Sequence, residues 1–238
     1  MMSKKNAIWT LHTGINSRFA ECLHGSPREV LSKPCANCFV GATFRISYPI
    51  LIEWLPGSDI LGDFTWPGEG RAIVKSIVYD AIQSQFPMLR SDSVQMMQDP
   101  RLHMPKDKRR AKRRIWLPYE GPELIELIPT YRVPIHPSTT WEFGNPCEIC
   151  AKASKMLAGA ESKMQRWDQK KQDLVPNWKP REPGKGLFIS RSAIHGYPIF
   201  FAEEFSTPIF CTDEFKHFIE DRGFTNIDFL EWGEIIDD

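Results

Sequence analysis

The sequence predicts an α+β protein, and three observations carry the prediction. Short β-prone runs are interspersed with a few helical patterns, and no repeat of fixed period appears. A mix of that kind, without regular alternation of strand and helix, is the sequence form of an α+β domain. The composition is that of an ordinary globular protein, with 42% apolar and 25% charged residues over 238 positions, long enough to bury a core without disulfide staples. One domain spanning 1–238 is expected, with surface insertions at 87–118 and 151–186, where the pattern turns polar or irregular.

Residues 7–12 read as a short strand. Thr43 to Leu55 is a long β-rich run in which Pro49 argues for two short strands or an edge strand. Pro56-Gly57 and Trp66-Pro67-Gly68 punctuate the loop that follows. Ser76 is placed to cap a helix reaching about Gln85, with Ile77, Val78, Ala81 and Ile82 on its apolar face. Pro87 to Pro118 lacks periodicity and reads as surface loop, and Glu123 to Pro134 as one or two strands. Ala151 to Gln172, rich in Lys and Gln, is expected to be a solvent-exposed helix that runs into a Pro/Gly-rich connector. Gly186–Ile189 and Tyr197–Phe201 read as strands. Thr212 then caps the clearest helix. Asp213 and Glu214 occupy its first turn, where they favour the helix dipole, and Phe215, Phe218 and Ile219 face inward. Arg222 stands in the last turn and Gly223 follows as the C′ residue. Ile227, Phe229 and Leu230 make a terminal strand.

The formal net charge is zero but unevenly spread. Residues 101–114 hold eight Lys or Arg against Asp107, leaving 22 basic and 29 acidic residues elsewhere. Residues 213–238 alone carry nine acids against Lys216 and Arg222. The chain is thus an acidic protein with one basic loop, unlike a uniformly basic nucleic-acid binder. No stretch of 18 apolar residues is present, and the N-terminal apolar run is too short for a secretory core, so a cytoplasmic protein without a membrane partner is expected.

Cysteine chemistry is the most specific local signal. Cys35-Ala36-Asn37-Cys38 and Cys147-Glu148-Ile149-Cys150 form two Cys-x-x-Cys pairs separated by 108 residues, while Cys22 and Cys211 stand alone as expected core residues. Each pair presents two sulfurs on one side of a tight knuckle, and four thiolates suit a tetrahedral structural zinc with no open coordination position. Because the pairs lie so far apart, zinc would clamp distant segments of a single folded domain. The alternatives at this stage are unmetallated thiols and a redox-active pair, although neither pair sits clearly at a helix N-terminus following a strand.

The basic run includes Lys108, Arg109, Arg110, Lys112, Arg113 and Arg114, with Trp116 close behind. It could grip phosphates while Trp116 stacks on a base. The blander readings are a solvated loop or helix end, or a complement to an acidic partner or to the chain's own acidic C-terminal segment, and a lone run without interleaved aromatics is weak evidence for nucleic-acid binding. The six histidines are scattered, and there is no nucleophile elbow, phosphate loop or dinucleotide fingerprint. No catalytic residue is assigned, and a non-enzymatic role is expected. The abundant aromatics lean mildly toward partner binding.

In layout the chain resembles the double-CXXCG motif family. The likeness consists of the early pair Cys35/Cys38, then Leu55-Pro56-Gly57 and Asp63-Phe64-Thr65-Trp66-Pro67-Gly68, the late pair Cys147/Cys150, then Gly186-Leu187-Phe188-Ile189-Ser190 and the Phe210–Trp232 unit. The glycine that follows each pair in the family is here Phe39 and Ala151. The resemblance implies an immunity protein of the kind found in myxobacterial contact-dependent toxin systems, a cytoplasmic binder that neutralises one cognate protein toxin without catalysis. On that reading the acidic residues Asp213, Glu214, Glu220 and Asp221 are the expected contact face, complementary to a basic toxin cleft. The alternative is a nucleic-acid-binding zinc protein that uses residues 106–116.

Overall fold

The computed structural model describes residues 6–13, 18–25, 28–33, 35–38, 43–46, 48–55, 57–68, 70–97, 119–168, 173–205 and 207–238. The first half contributes β1 (Ala7–His12), β2 (Cys22–His24), β3 (Arg28–Ser32), β4 (Thr43–Ile46), β5 (Ile50–Trp54), β6 (Phe64–Gly68), β7 (Arg71–Lys75), α1 (Ser76–Gln85) and β8 (Arg90–Met96). Next come β9 (Leu124–Ile128), β10 (Arg132–Val133), β11 (Trp141–Pro146), β12 (Ala153–Leu157), β13 (Ser162–Asp168) and β14 (Asp173–Lys179). The chain closes with β15 (Leu187–Ser190), α2 (Arg191–Ile194), β16 (Ile199–Ala202), β17 (Ile209–Thr212), α3 (Asp213–Asp221) and β18 (Asp228–Ile236).

Among the described residues the protein is mostly β, which corrects the α+β expectation. Its helices span only ten, four and nine residues. The largest error lies in 151–172, expected as a helix. Gly159, at φ +70°, breaks any helix there, and the flanking segments become β12 and β13. Both strands belong to isolated hairpins, β11–β12 and β13–β14. On β12 the exposure does not alternate, so the strand carries no period-2 apolar signal to read. Part of the expected 87–118 loop is β8. Trp66-Pro67-Gly68 ends β6 rather than lying in a loop, and Pro67 is tolerated because β6 is an edge strand. The two strands around Pro49, β4 and β5, agree with the sequence reading.

Two six-stranded sheets organise the molecule, one in the order β10-β16-β17-β1-β18-β15 and the other β2-β5-β8-β9-β7-β6. They share a plan. In each, a strand–helix–strand unit (β17–α3–β18 or β7–α1–β8) flanks a central strand antiparallel to both (β1 or β9). Outside it, β15 and β5 run parallel to β18 and β8, while β16 and β6 run antiparallel to β17 and β7. In the second sheet the edge strands β2 and β6 lie against each other, so the sheet curls back on itself.

Alternation along the strands distributes the core. Ala72 and Val74 of β7 face the layer between the sheets, and Ile73 faces the inside of the curl. Ile209 and Cys211 of β17 face the same middle layer, and Phe210 the opposite side. Val78, Tyr79 and Ile82 of α1 meet Phe215, Phe218 and Ile219 of α3 in this layer, with Phe86 touching both Phe215 and Phe218 at 5.4 and 5.1 Å between ring centres. Burying one such aliphatic or aromatic side chain contributes about 1.5–3 kcal/mol. The two sheets are further bolted through polar contacts. Asp63 accepts hydrogen bonds from the Thr225 backbone N–H and hydroxyl at 2.9 and 2.7 Å, and Trp66 Nε1 donates to the Asn226 carbonyl at 2.6 Å.

Candidate metal centre

Each Cys-x-x-Cys pair lies in the connection of a two-stranded hairpin. In β3–β4, Arg28 pairs with Ile46 and Val30 with Phe44, and the connection carries Cys35 and Cys38. In β11–β12, Trp141 pairs with Leu157 and Pro146 with Ala153, and the turn is Cys147-Glu148-Ile149-Cys150. That second turn closes on itself: Ala151 N–H donates to the Cys147 carbonyl at 2.8 Å, and Cys147 N–H donates to the Lys152 carbonyl at 2.9 Å. Neither hairpin joins a six-stranded sheet.

The hairpin tips meet. Cys35 Sγ lies 3.8 Å from Cys147 Sγ, Cys38 Sγ lies 3.6 Å from Cys150 Sγ, and all four sulfurs fall within 4.8 Å of one another. All four cysteines are free thiols. Four sulfurs about 2.3 Å from a central tetrahedral ion would stand roughly 3.8 Å apart, so the cluster has the dimensions of a thiolate metal site. Its electrostatics suit one as well. The backbone N–H groups of Cys150 and Ile149, with the Asn37 amide, pull the Cys147 thiol down to about 6. Those of Cys38 and Asn37 lower Cys35 in the same way. Asn37 Nδ2 reaches Cys147 Sγ at 3.6 Å, so one knuckle donates to a sulfur of the other. Charge-favouring N–H donors around bare thiols are what a cation-holding site requires.

The glycine missing from the second pair leaves a visible mark. Ala151 adopts φ +57°, the left-handed conformation that glycine takes freely and alanine resists. Phe39, the corresponding residue of the first pair, lies outside the described residues.

The other sequence candidates are placed differently. Asp213 is turned inward, accepting from Trp9 Nε1 at 2.8 Å and from the Ala7 backbone at 3.1 Å, so it pins β1 to the start of α3. Glu220 accepts from Lys216 at 2.6 Å along the same helix. Glu214 and Asp221 are exposed on α3. Lys108, Arg109, Arg110, Lys112, Arg113, Arg114 and Trp116 lie outside the described residues. Cys22 and Cys211 are buried in the core, and burial pushes the Cys22 thiol up to about 12 and raises the Cys211 thiol well above its ordinary value.

Sequence reasoning missed one polar cluster inside the curled sheet. Arg71 binds Glu126 through two hydrogen bonds, Nε to Oε1 at 2.5 Å and Nη2 to Oε2 at 2.6 Å, and its Nη1 stands 2.9 Å from His24 Nε2. Both partners of the ion pair are buried, and the Tyr48 ring covers the guanidinium at 5.1 Å. Burial raises the Glu126 carboxyl, while the Arg71 hydrogen bonds oppose the rise. These residues are far apart in sequence and belong to no motif, so the chain offers no local signal for the cluster.

Among the described residues the four cysteines are the one group of metal-ligating side chains found together, and no helix is long and apolar enough to cross a membrane. Fold and site together define a mostly β protein with a four-cysteine centre able to hold a metal ion. Comparison with known protein families and with curated proteins finds no match for this chain.

Proposed function

We propose that the protein is a zinc-clamped binding protein of the immunity type, which neutralises a cognate protein toxin and performs no catalysis. The observation that carries the zinc reading is the meeting of four thiols at tetrahedral spacing across two hairpin tips. A soft four-sulfur tetrahedron suits zinc, and four protein ligands leave no position for a substrate. Bound zinc would supply cross-linking rather than reaction chemistry. Cys35 and Cys38 would hold it from one hairpin and Cys147 and Cys150 from the other, and the knuckle N–H groups favour the charged forms of Cys35 and Cys147.

The toxin-binding part rests on the resemblance to the double-CXXCG motif family and on the acidic balance of the chain outside 101–114. Of the four acidic candidates, exposed Glu214 and Asp221 are free to steer a basic partner, whereas Asp213 and Glu220 are committed within the chain. The test is metal analysis of the purified protein followed by a tagged pull-down from native cells, split into nuclease-treated and untreated halves. One zinc per chain and a protein partner that survives nuclease treatment are expected. Nucleic acid recovered only from the untreated half would overturn the reading in favour of phosphate binding by Lys108 to Arg114.

A further inference from the structure

We propose that the four-cysteine centre is also a thiol-oxidation site, which a hydroperoxide converts from a metal clamp into a disulfide clamp across the two hairpins. The inference rests on the zinc reading above and adds a regulation of the same centre.

Access comes first. Cys35, Cys38 and Cys150 are half-buried, and their neighbours Ala36, Asn37, Glu148, Ile149 and Ala151 are exposed, with Ile149 71% accessible. The centre is therefore open to a small oxidant from the hairpin tips. Cys147 is itself buried but lies in the same exposed turn, 3.8 Å from half-buried Cys35, whereas Cys22 and Cys211 are shut in the core away from any such turn, so the four clustered thiols are the susceptible ones.

Placement comes second. The contacts at 3.8 Å (Cys35 with Cys147) and 3.6 Å (Cys38 with Cys150) join sulfurs of different hairpins. An approach of under roughly 2 Å along each contact gives the bonded sulfur separation. A thiolate attacks one oxygen of the hydroperoxide, the O–O bond breaks, and the sulfur becomes a sulfenic acid while an alkoxide or hydroxide leaves and takes a proton from water. The thiolate of the opposite hairpin then attacks that sulfur, the S–O bond breaks, and hydroxide departs as the disulfide forms. Each disulfide costs the cysteines two electrons, which reduce one hydroperoxide. Two such events consume all four ligands and release the metal, yet leave the hairpins tied.

The experiment uses the intact, metal-loaded protein and hydrogen peroxide as the probe. Released zinc is followed with a chromophoric chelator, and disulfides are mapped by mass spectrometry of a non-reducing digest. Zinc release should track the loss of the four thiols. Peptides carrying Cys35 or Cys38 should appear joined to peptides carrying Cys147 or Cys150, and the four should oxidise about 10-fold or more faster than Cys22 and Cys211. A thiol reductant with added zinc should restore the starting state. Disulfides confined to Cys35–Cys38 and Cys147–Cys150, or zinc retained until the core thiols oxidise, would overturn the proposal. Protein that binds no zinc before oxidation would instead refute the clamp reading, and cross-hairpin disulfides in that sample would still uphold the oxidation site.

Discussion

Replacing Ala151 by glycine should stabilise the protein. Ala151 sits at φ +57° in the turn that carries Cys147 and Cys150 and is exposed, so removing its methyl group sacrifices little packing. The left-handed conformation costs an L-residue roughly 1–2 kcal/mol that glycine escapes. Glycine gives back roughly 0.4–1 kcal/mol through its greater freedom in the unfolded chain. The balance spans about 0–1.6 kcal/mol in favour of the variant, and its midpoint of about 0.8 kcal/mol raises the melting temperature of a chain of this size by roughly 2–3 °C. Ala151→Val provides the opposite arm, because a β-branched residue is more strained there and the melting temperature should fall. Calorimetry of the three metal-loaded proteins checks both signs. A glycine variant that melts below the wild-type temperature would refute the strain argument.

Cys35→Ser or Cys147→Ser should lower zinc content and melting temperature together. The cross-link they break joins residues 112 positions apart, and closing a loop of that length contributes about 4–5 kcal/mol in the chain-entropy description. An equally stable variant, measured by denaturant titration, would show that the centre is no clamp. Arg71→Met leaves the Glu126 carboxylate buried beside no guanidinium and should cost about 3–5 kcal/mol, much of it recovered in Arg71→Met/Glu126→Leu. A loss under about 1 kcal/mol in the single variant would contradict the buried pairing. Although burial raises the Asp63 carboxyl, its Thr225 and Lys75 hydrogen bonds outweigh that and hold it below its ordinary 3.8. Its contribution is therefore fully present above that value and fades as pH falls through the lower folded pKa. Asp63→Asn should flatten the acid limb of a stability-against-pH curve below about pH 4, and an unchanged limb would dismiss the contribution.

What could be read from the sequence was what is locally encoded. The α3 helix announced itself through an acidic first turn, an inward Phe215–Phe218–Ile219 face and Gly223, which takes φ +64° just past its end. The Thr212 side-chain cap is not made, and Arg222 is the C-cap residue rather than part of the last turn. The thiol pairs were legible because knuckle spacing is itself the chemistry, although nothing in the spacing said that the hairpin tips would touch. The β11–β12 hairpin escaped notice because Phe143 and Met156, on its opposite faces, are both exposed, and a strand with no buried side has no alternation to detect. The common plan of the two sheets escaped for another reason. Arrangements as similar as β7–α1–β8 and β17–α3–β18 are specified by apolar positions that many sequences satisfy, so they leave no repeat in the letters.

The position of β1 has a consequence for the order in which the molecule is made. This strand pairs through Ile8 with Thr212 on one side and through Leu11 with Phe229 on the other, so its neighbours are synthesised long after it. The curled sheet, whose strands all fall between residues 22 and 128, can close while synthesis continues. The centre of the other sheet must wait, its apolar Ile8 and Leu11 without their β17 and β18 partners, until residues 209–236 have been translated.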